Sequence, residues 1–158
     1  MDGQSLDGPG RAGRVRRLVA RLALLVLAAA ALYQGLWAQF APRSFFYDFP
    51  AGLTWVAGDG PYNEHLVRDV GGLVNGLGAM AVVAALWMSA PLLVANAVAW
   101  TVYAVPHFVY HVNHPLAETS MQRWNVVVLT SEVVLPLLGL LGIGTLSRRR
   151  HARMLEGR

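Results

Sequence analysis

The chain contains no cysteine and no lysine in 158 residues, and Ile143 is its one isoleucine. Without cysteine there can be no disulfide, no thiolate metal ligand and no thiol nucleophile. Charge is scarce too: 14% of residues are charged, against about 25% in an average soluble domain. There is no phosphate loop, no dinucleotide-binding glycine fingerprint and no GxSxG nucleophile elbow, so the sequence names no substrate through a motif.

What the chain does have is apolar sequence, with 55% hydrophobic residues. By length it is one domain. Four runs approach the ~20 residues that cross a bilayer: 18–40, 66–88, 91–112 and 126–146. Backbone groups in lipid have no water to bond, so each run is expected to be a helix. The chain is then an all-α integral membrane four-helix bundle (18–146), with a disordered basic leader (1–17) and a basic tail (147–158). The rival for the first run is a secretory signal peptide with small residues at Ala28–Ala31. Because the run continues through Leu36, Trp37 and Phe40, a retained span is favoured.

The pI near 10.1 does not point to nucleic acid, because the arginines gather at the two ends. Arg11, Arg14, Arg16, Arg17 and Arg21 precede or open the first run, and Arg148, Arg149, Arg150 and Arg153 follow the last. The positive-inside rule puts both termini in the cytoplasm, and four spans have the matching parity. The alanine, valine, leucine, glycine and arginine bias suggests a GC-rich bacterial genome, hence the cytoplasmic (inner) membrane. Segment 41–62 is then extracytoplasmic. Its aromatics, including Phe45, Phe46, Tyr47, Phe49, Trp55 and Tyr62, read as an interfacial belt or as a lid over an outward-facing pocket. Gly72 and Gly76, with Gly71 and Gly78 nearby, mark a close helix contact on the second run, as do Gly139, Gly142 and Gly144 on the fourth. Pro106 and Pro136 are each expected to kink their helix.

Two polar clusters interrupt this pattern: Asn63-Glu64-His65-Leu66-Val67-Arg68-Asp69, and His107-Phe108-Val109-Tyr110-His111-Val112-Asn113-His114. Ionisable groups at membrane depth are costly and are usually kept for a purpose. At about 100° per residue, Trp100, Tyr103, His107, His111 and His114 share one stripe, and Asn96 extends it. Glu132 on the fourth run should lie somewhat deeper, with Arg68 and His107 as its natural partners.

Three readings stay open. In the first these residues are structural glue between helices. In the second His107, His111 and His114 bind a divalent metal, or a haem is held, with Asp69 or Glu64 completing or orienting the set; the HxxxHxxH spacing permits this but lacks the glutamate of the HExxH motif. In the third a lipid-soluble molecule sits in a pocket lined by Trp100, Tyr103 and Tyr110, with Arg68 a further binding candidate, and His107 or His111 acts as a general acid–base tuned by Asp69 or Glu132.

The run Asn63 to Gly72, with its Arg68-Asp69-Val70-Gly71-Gly72 entry into a glycine-rich span, and the run Pro106 to His114 resemble the DoxX-like group of small four-helix bacterial, in particular actinobacterial, membrane proteins. The resemblance covers about 18–146, and its specific part is these two motifs. It implies a four-helix membrane bundle with a polar site near one interface, in a group linked variously to quinone or sulfur redox chemistry. Thiol chemistry does not carry over, because the cysteines are absent. Only Arg68, Asp69, His107 and His111 carry over by motif. The expected function is that of an accessory or small-molecule (lipid or quinone) binding protein. A membrane enzyme is the alternative, and no cofactor is the first expectation. Expected partners are the bilayer, a lipid-soluble small molecule, and a second copy or another membrane protein, but no nucleic acid.

Overall fold

The computed structural model describes residues 10–58, 60–116 and 118–145, with Thr119 and Thr145 described by backbone alone. The described residues form five α-helices: α1 (Arg11–Phe40), α2 (Pro42–Asp48), α3 (Glu64–Trp87), α4 (Ala90–Asn113) and α5 (Thr119–Gly139). A 3-10 segment (Leu140–Thr145) continues α5. The residues of the expected tail, 147–158, lie outside the described set. The basic stretch 11–17, expected in the leader, is already helical. Arginine is a good helix former, and these residues extend α1 beyond its apolar part.

The long helices run antiparallel in sequence order, so one end of the bundle gathers the start of α1, the α3–α4 turn and the 3-10 segment. Ala20, Leu24, Ala84, Ala85, Met88 and Leu93 form the core there. A middle layer holds Leu27, Ala28, Ala31, Val74, Ala81 and Trp100. At the other end Ala38, Phe46 and Val67 pack with Phe45, Val56, Ala57 and Tyr62. Both polar clusters lie at this second end.

Three of the helical segments, Glu64–Trp87, Ala90–Asn113 and Ser120–Gly144, are long and apolar enough to cross a membrane. Their outer faces are apolar too: Leu73 on α3 and Val102 on α4 are each 71% exposed, which suits lipid better than water. The first helix, expected to span 18–40, is not among those three. It is instead the helix most built into the core, with buried Ala20, Ala23, Leu24, Leu27, Ala28, Ala31, Gly35 and Ala38.

The pairing of α1 with α3 is set by two glycines. A Cβ on Gly71 would lie 2.6 Å from the backbone nitrogen of Gln39 and 2.8 Å from the carbonyl oxygen of Gly35. A Cβ on Gly35 would lie 2.9 Å from the carbonyl oxygen of Gly71. Only hydrogen fits at either position. One heptad on, a Cβ at Gly78 would press on Leu32 and Ala31, while Gly76 faces open space. The seam therefore follows Gly71 and Gly78, not the expected Gly72–Gly76 pair. Gly35 is its unexpected partner.

An arginine closes each end of this pair. Arg21 of α1 donates through Nε to the carbonyl of Ala85 at 3.0 Å, near the end of α3. Arg68 of α3 donates through Nη1 to the carbonyl of Gln39 at 2.6 Å, near the end of α1. The last carbonyls of a helix lack intrahelical donors and carry negative partial charge, so a guanidinium there satisfies both needs. At the other expected glycines no backbone comes close: Gly139 meets the side chain of Leu24, Gly142 those of Met88 and Leu93, and Gly144 that of Arg16.

The glycine geometry separates two substitutions. Gly71→Ala should lower thermal stability in detergent by about 1–3 kcal/mol, the usual cost of overpacking. Gly76→Ala should leave it unchanged or raise it, since alanine is the better helix former by ~1 kcal/mol. Unfolding curves of the two variants check the assignment, and equal losses would refute it.

Candidate functional site

Segment 41–62 folds back over the end of the bundle. Pro42 opens the short helix α2 at a position that suits proline, and a cis Phe49–Pro50 bond follows it. Aromatic rings hold the fold: Phe45 and Phe49 lie 4.7 Å apart, Trp37 lies 5.9 Å from Phe49, and Phe46 meets Tyr62 edge-on at 5.3 Å. Beneath them lies a cavity of about 210 Å³. Phe45, Phe49, Trp55 and Val56 form its roof, and α1, α3, α4 and α5 all contribute walls.

The walls are largely apolar, with a few polar groups set into them. Glu132 of α5 is 5% exposed. Its Oε1 accepts from Gln34 Nε2 of α1 at 3.3 Å, and its Oε2 stands 3.4 Å from His107 Nδ1 of α4. One carboxylate thus ties three helices together. Its contact with the imidazole is an ion-pair distance, longer than a good charge-assisted hydrogen bond. Asn125, 6% exposed, and Trp55, 9% exposed, also face the cavity. Among the described residues, none makes a hydrogen bond to Asn125 Nδ2, Trp55 Nε1 or Glu132 Oε2. A buried polar atom left this way costs about 1–3 kcal/mol, so Asn125 and Trp55 form a concentrated expense at one cavity, while Glu132 Oε2 has the His107 contact alone.

The α4 stripe is present as a ladder of rings. Trp100 and Tyr103 are 5.9 Å apart, Tyr103 and His107 5.2 Å, and His107 and His111 4.9 Å. Tyr103, His107 and His111 line the cavity. Trp100 is fully buried in the middle layer. His114 is not brought to them: the helix ends at Asn113, as the following Pro115 favours, and the His114 ring stacks on Tyr110 at 4.3 Å. Among the described residues no three His, Asp or Glu side chains are grouped so as to hold a metal ion.

The first cluster stays outside the cavity. Asn63 caps α3 by accepting from Leu66 N at 3.1 Å, a role asparagine favours. Arg68 pairs with Glu64 at 2.9 Å, and His65 with Asp69 at 3.2 Å. Both are exposed i, i+4 pairs of the kind worth ~0.3–0.5 kcal/mol. Arg68 is thus committed to Glu64 and to the end of α1, and Glu132 pairs with His107 without it. Trp55 belongs to the segment expected as a belt or a lid, whereas Gln34 and Asn125 are cavity groups that sequence reasoning missed. At Gln34 the available signal is a polar residue inside an apolar run; Asn125 lies just before its run and gives none.

These partners predict different sensitivities. Glu132→Ala should lower stability in detergent by about 1–3 kcal/mol, because it strips Gln34 and His107 of an acceptor inside the bundle. His65→Ala and Asp69→Ala should each stay within ~0.5 kcal/mol of the parent. Thermal unfolding followed by circular dichroism distinguishes the two cases.

Comparison with protein-family models, with curated proteins and with solved structures yields no match to this chain. The likeness to the DoxX-like group therefore stands on the two sequence motifs alone, beside an all-helical fold with three long apolar helices.

Proposed function

We propose that this chain is a multi-pass membrane protein whose helices hold a lipid-soluble small molecule under the aromatic lid. The carrying observation is that Trp55, Asn125 and Glu132, each with a buried polar atom that accepts or donates no hydrogen bond among the described residues, line one largely apolar cavity. Ligand sites commonly have this composition: mostly apolar walls and a few placed polar groups that orient the guest.

In this reading α1 is a fourth span. It lies along α3 from the Arg21–Ala85 contact to the Arg68–Gln39 contact, so it shares the depth of a helix apolar enough to cross. Its 30 residues reach roughly 45 Å at 1.5 Å per residue. The arginine-rich end then faces the cytoplasm, and the lid faces outward from a bacterial inner membrane. Both termini are cytoplasmic, as the arginines beyond Ser147 also favour.

A second reading is an enzyme acting on the same guest. It draws on Glu132 standing beside the His107 imidazole, the arrangement by which a carboxylate orients a general acid–base. His111, one turn away, would share the proton.

The protein should be purified in a mild detergent and its bound small molecules extracted for mass spectrometry. A near-stoichiometric apolar compound is expected in the parent, and its loss in a folded Asn125→Leu variant. Identical extracts from parent and variant, containing only bulk phospholipid, would refute it. Chemical conversion of that compound by the parent but not by His107→Gln would favour the enzyme.

A further inference from the structure

Beside the cavity, between α1 and α5, lies a second space of about 210 Å³. The two spaces share Gln34, Phe49, Trp55, Val128 and Glu132 as a common wall. From that wall the second space follows α1 back to Val26, roughly 12 Å at 1.5 Å per residue. It exists because its sides are small residues: Ala30 and Ala31 on α1 face Ser131 on α5. The Ser131 hydroxyl is turned onto its own helix, donating to the carbonyl of Val128 at 2.6 Å, so it adds little polarity. Val26 and Ala30 lie on the exposed side of α1, so the groove opens sideways, where the bilayer would be.

A polar-lined chamber beside an apolar lateral groove, with five lining residues in common, is a two-part mould. Resting on the binding reading above, we infer that the guest is a single-chain amphiphile with an uncharged oxygen head, a hydroxyl or a carbonyl. The head sits in the lidded chamber and the hydrocarbon chain lies along α1 in the groove. Trp55 Nε1 and Asn125 Nδ2 both offer N–H donors, so the head must present an acceptor. Among the described residues no arginine lines the chamber: Arg68 is turned to Glu64 and Gln39. A phosphate headgroup would find no guanidinium partner there. The chain enters from the lipid between α1 and α5 without crossing water, with the Gln34–Glu132 bond at the junction of groove and chamber.

The test uses the full chain in nanodiscs and octadecanol carrying a diazirine at mid-chain, with cross-linked peptides mapped by mass spectrometry. Labelling should be displaced by excess unlabelled octadecanol and should fall on α1 near Ala30 to Gln34 and on α5 near Val128 to Leu135. Ala30→Trp, which fills the groove, should cut it at least tenfold. Ala29→Trp, one position round the same helix and outside the groove, should not. Ser131→Phe blocks the groove from the opposite wall and serves if Ala30→Trp does not fold. Labelling spread over the outer surface and equal in all variants would overturn the inference, as would displacement by phosphatidic acid but not by octadecanol. Benzyl alcohol, a head without a chain, separates the two levels. Saturable benzyl alcohol binding that Asn125→Leu abolishes, without groove labelling, sinks the chain site and leaves the pocket. Loss of both sinks the pocket as well.

Discussion

The approach of α1 to α3 at Gly35 and Gly71 is the constraint on which the rest of the structure depends. Two backbones meet where neither residue has room for a Cβ, and close packing of this kind drives helix association where lipid removes the hydrophobic incentive. An arginine then closes the open end of the opposite helix on each side of the contact. This fixes the two helices lengthwise, so the end of α1 and the start of α3 arrive together. The aromatic segment between them is forced back across the top of the bundle.

That return path makes the chamber. Because α1 and α3 lie so close, α4 and α5 complete the bundle around them, and Glu132 reaches both Gln34 and His107. The polar residues divide by position. Those on the exposed start of α3 satisfy one another or cap a helix, which costs little in contact with water. Those under the lid are left with unused hydrogen-bonding capacity in an apolar setting, where it is expensive. The second group gathers around one cavity, whereas Asn96 and Trp100 carry unpartnered atoms deeper in the bundle.

Much of this was legible from the residues. The apolar runs of α3, α4 and α5 were visible because length and hydrophobicity are properties of a single segment. Helical spacing brought Trp100, Tyr103, His107 and His111 onto one stripe, and alternation of direction placed both polar clusters at one end. Partner choice was not legible. Gly71 and Gly72 look alike in sequence, and only the rotation of α3 against α1 decides which one meets a backbone. Arg68 could have turned inward to Glu132, but a nearer acceptor existed in the free carbonyl of Gln39, created by where α1 stops. Gln34 stands alone in an apolar run and Asn125 at the edge of one, and neither position reveals which neighbour it faces. For Trp55 the sequence leaves an interfacial belt and a lid both open, since membrane-surface tryptophans are common.

The register of α1 against α3 carries the whole account, and the absence of native cysteine makes it directly measurable. A Cβ on Gly78 would lie 3.2 Å from the Cβ of Ala31, a few tenths of an ångström short of the usual disulfide spacing of about 3.5–4.5 Å. The double variant Ala31→Cys/Gly78→Cys should therefore form an intramolecular disulfide under mild oxidation, seen as a loss of two hydrogens by intact mass. Ala31→Cys/Gly76→Cys should stay reduced under the same conditions. Cross-linking of the 31/76 pair without the 31/78 pair would contradict the seam and everything built upon it.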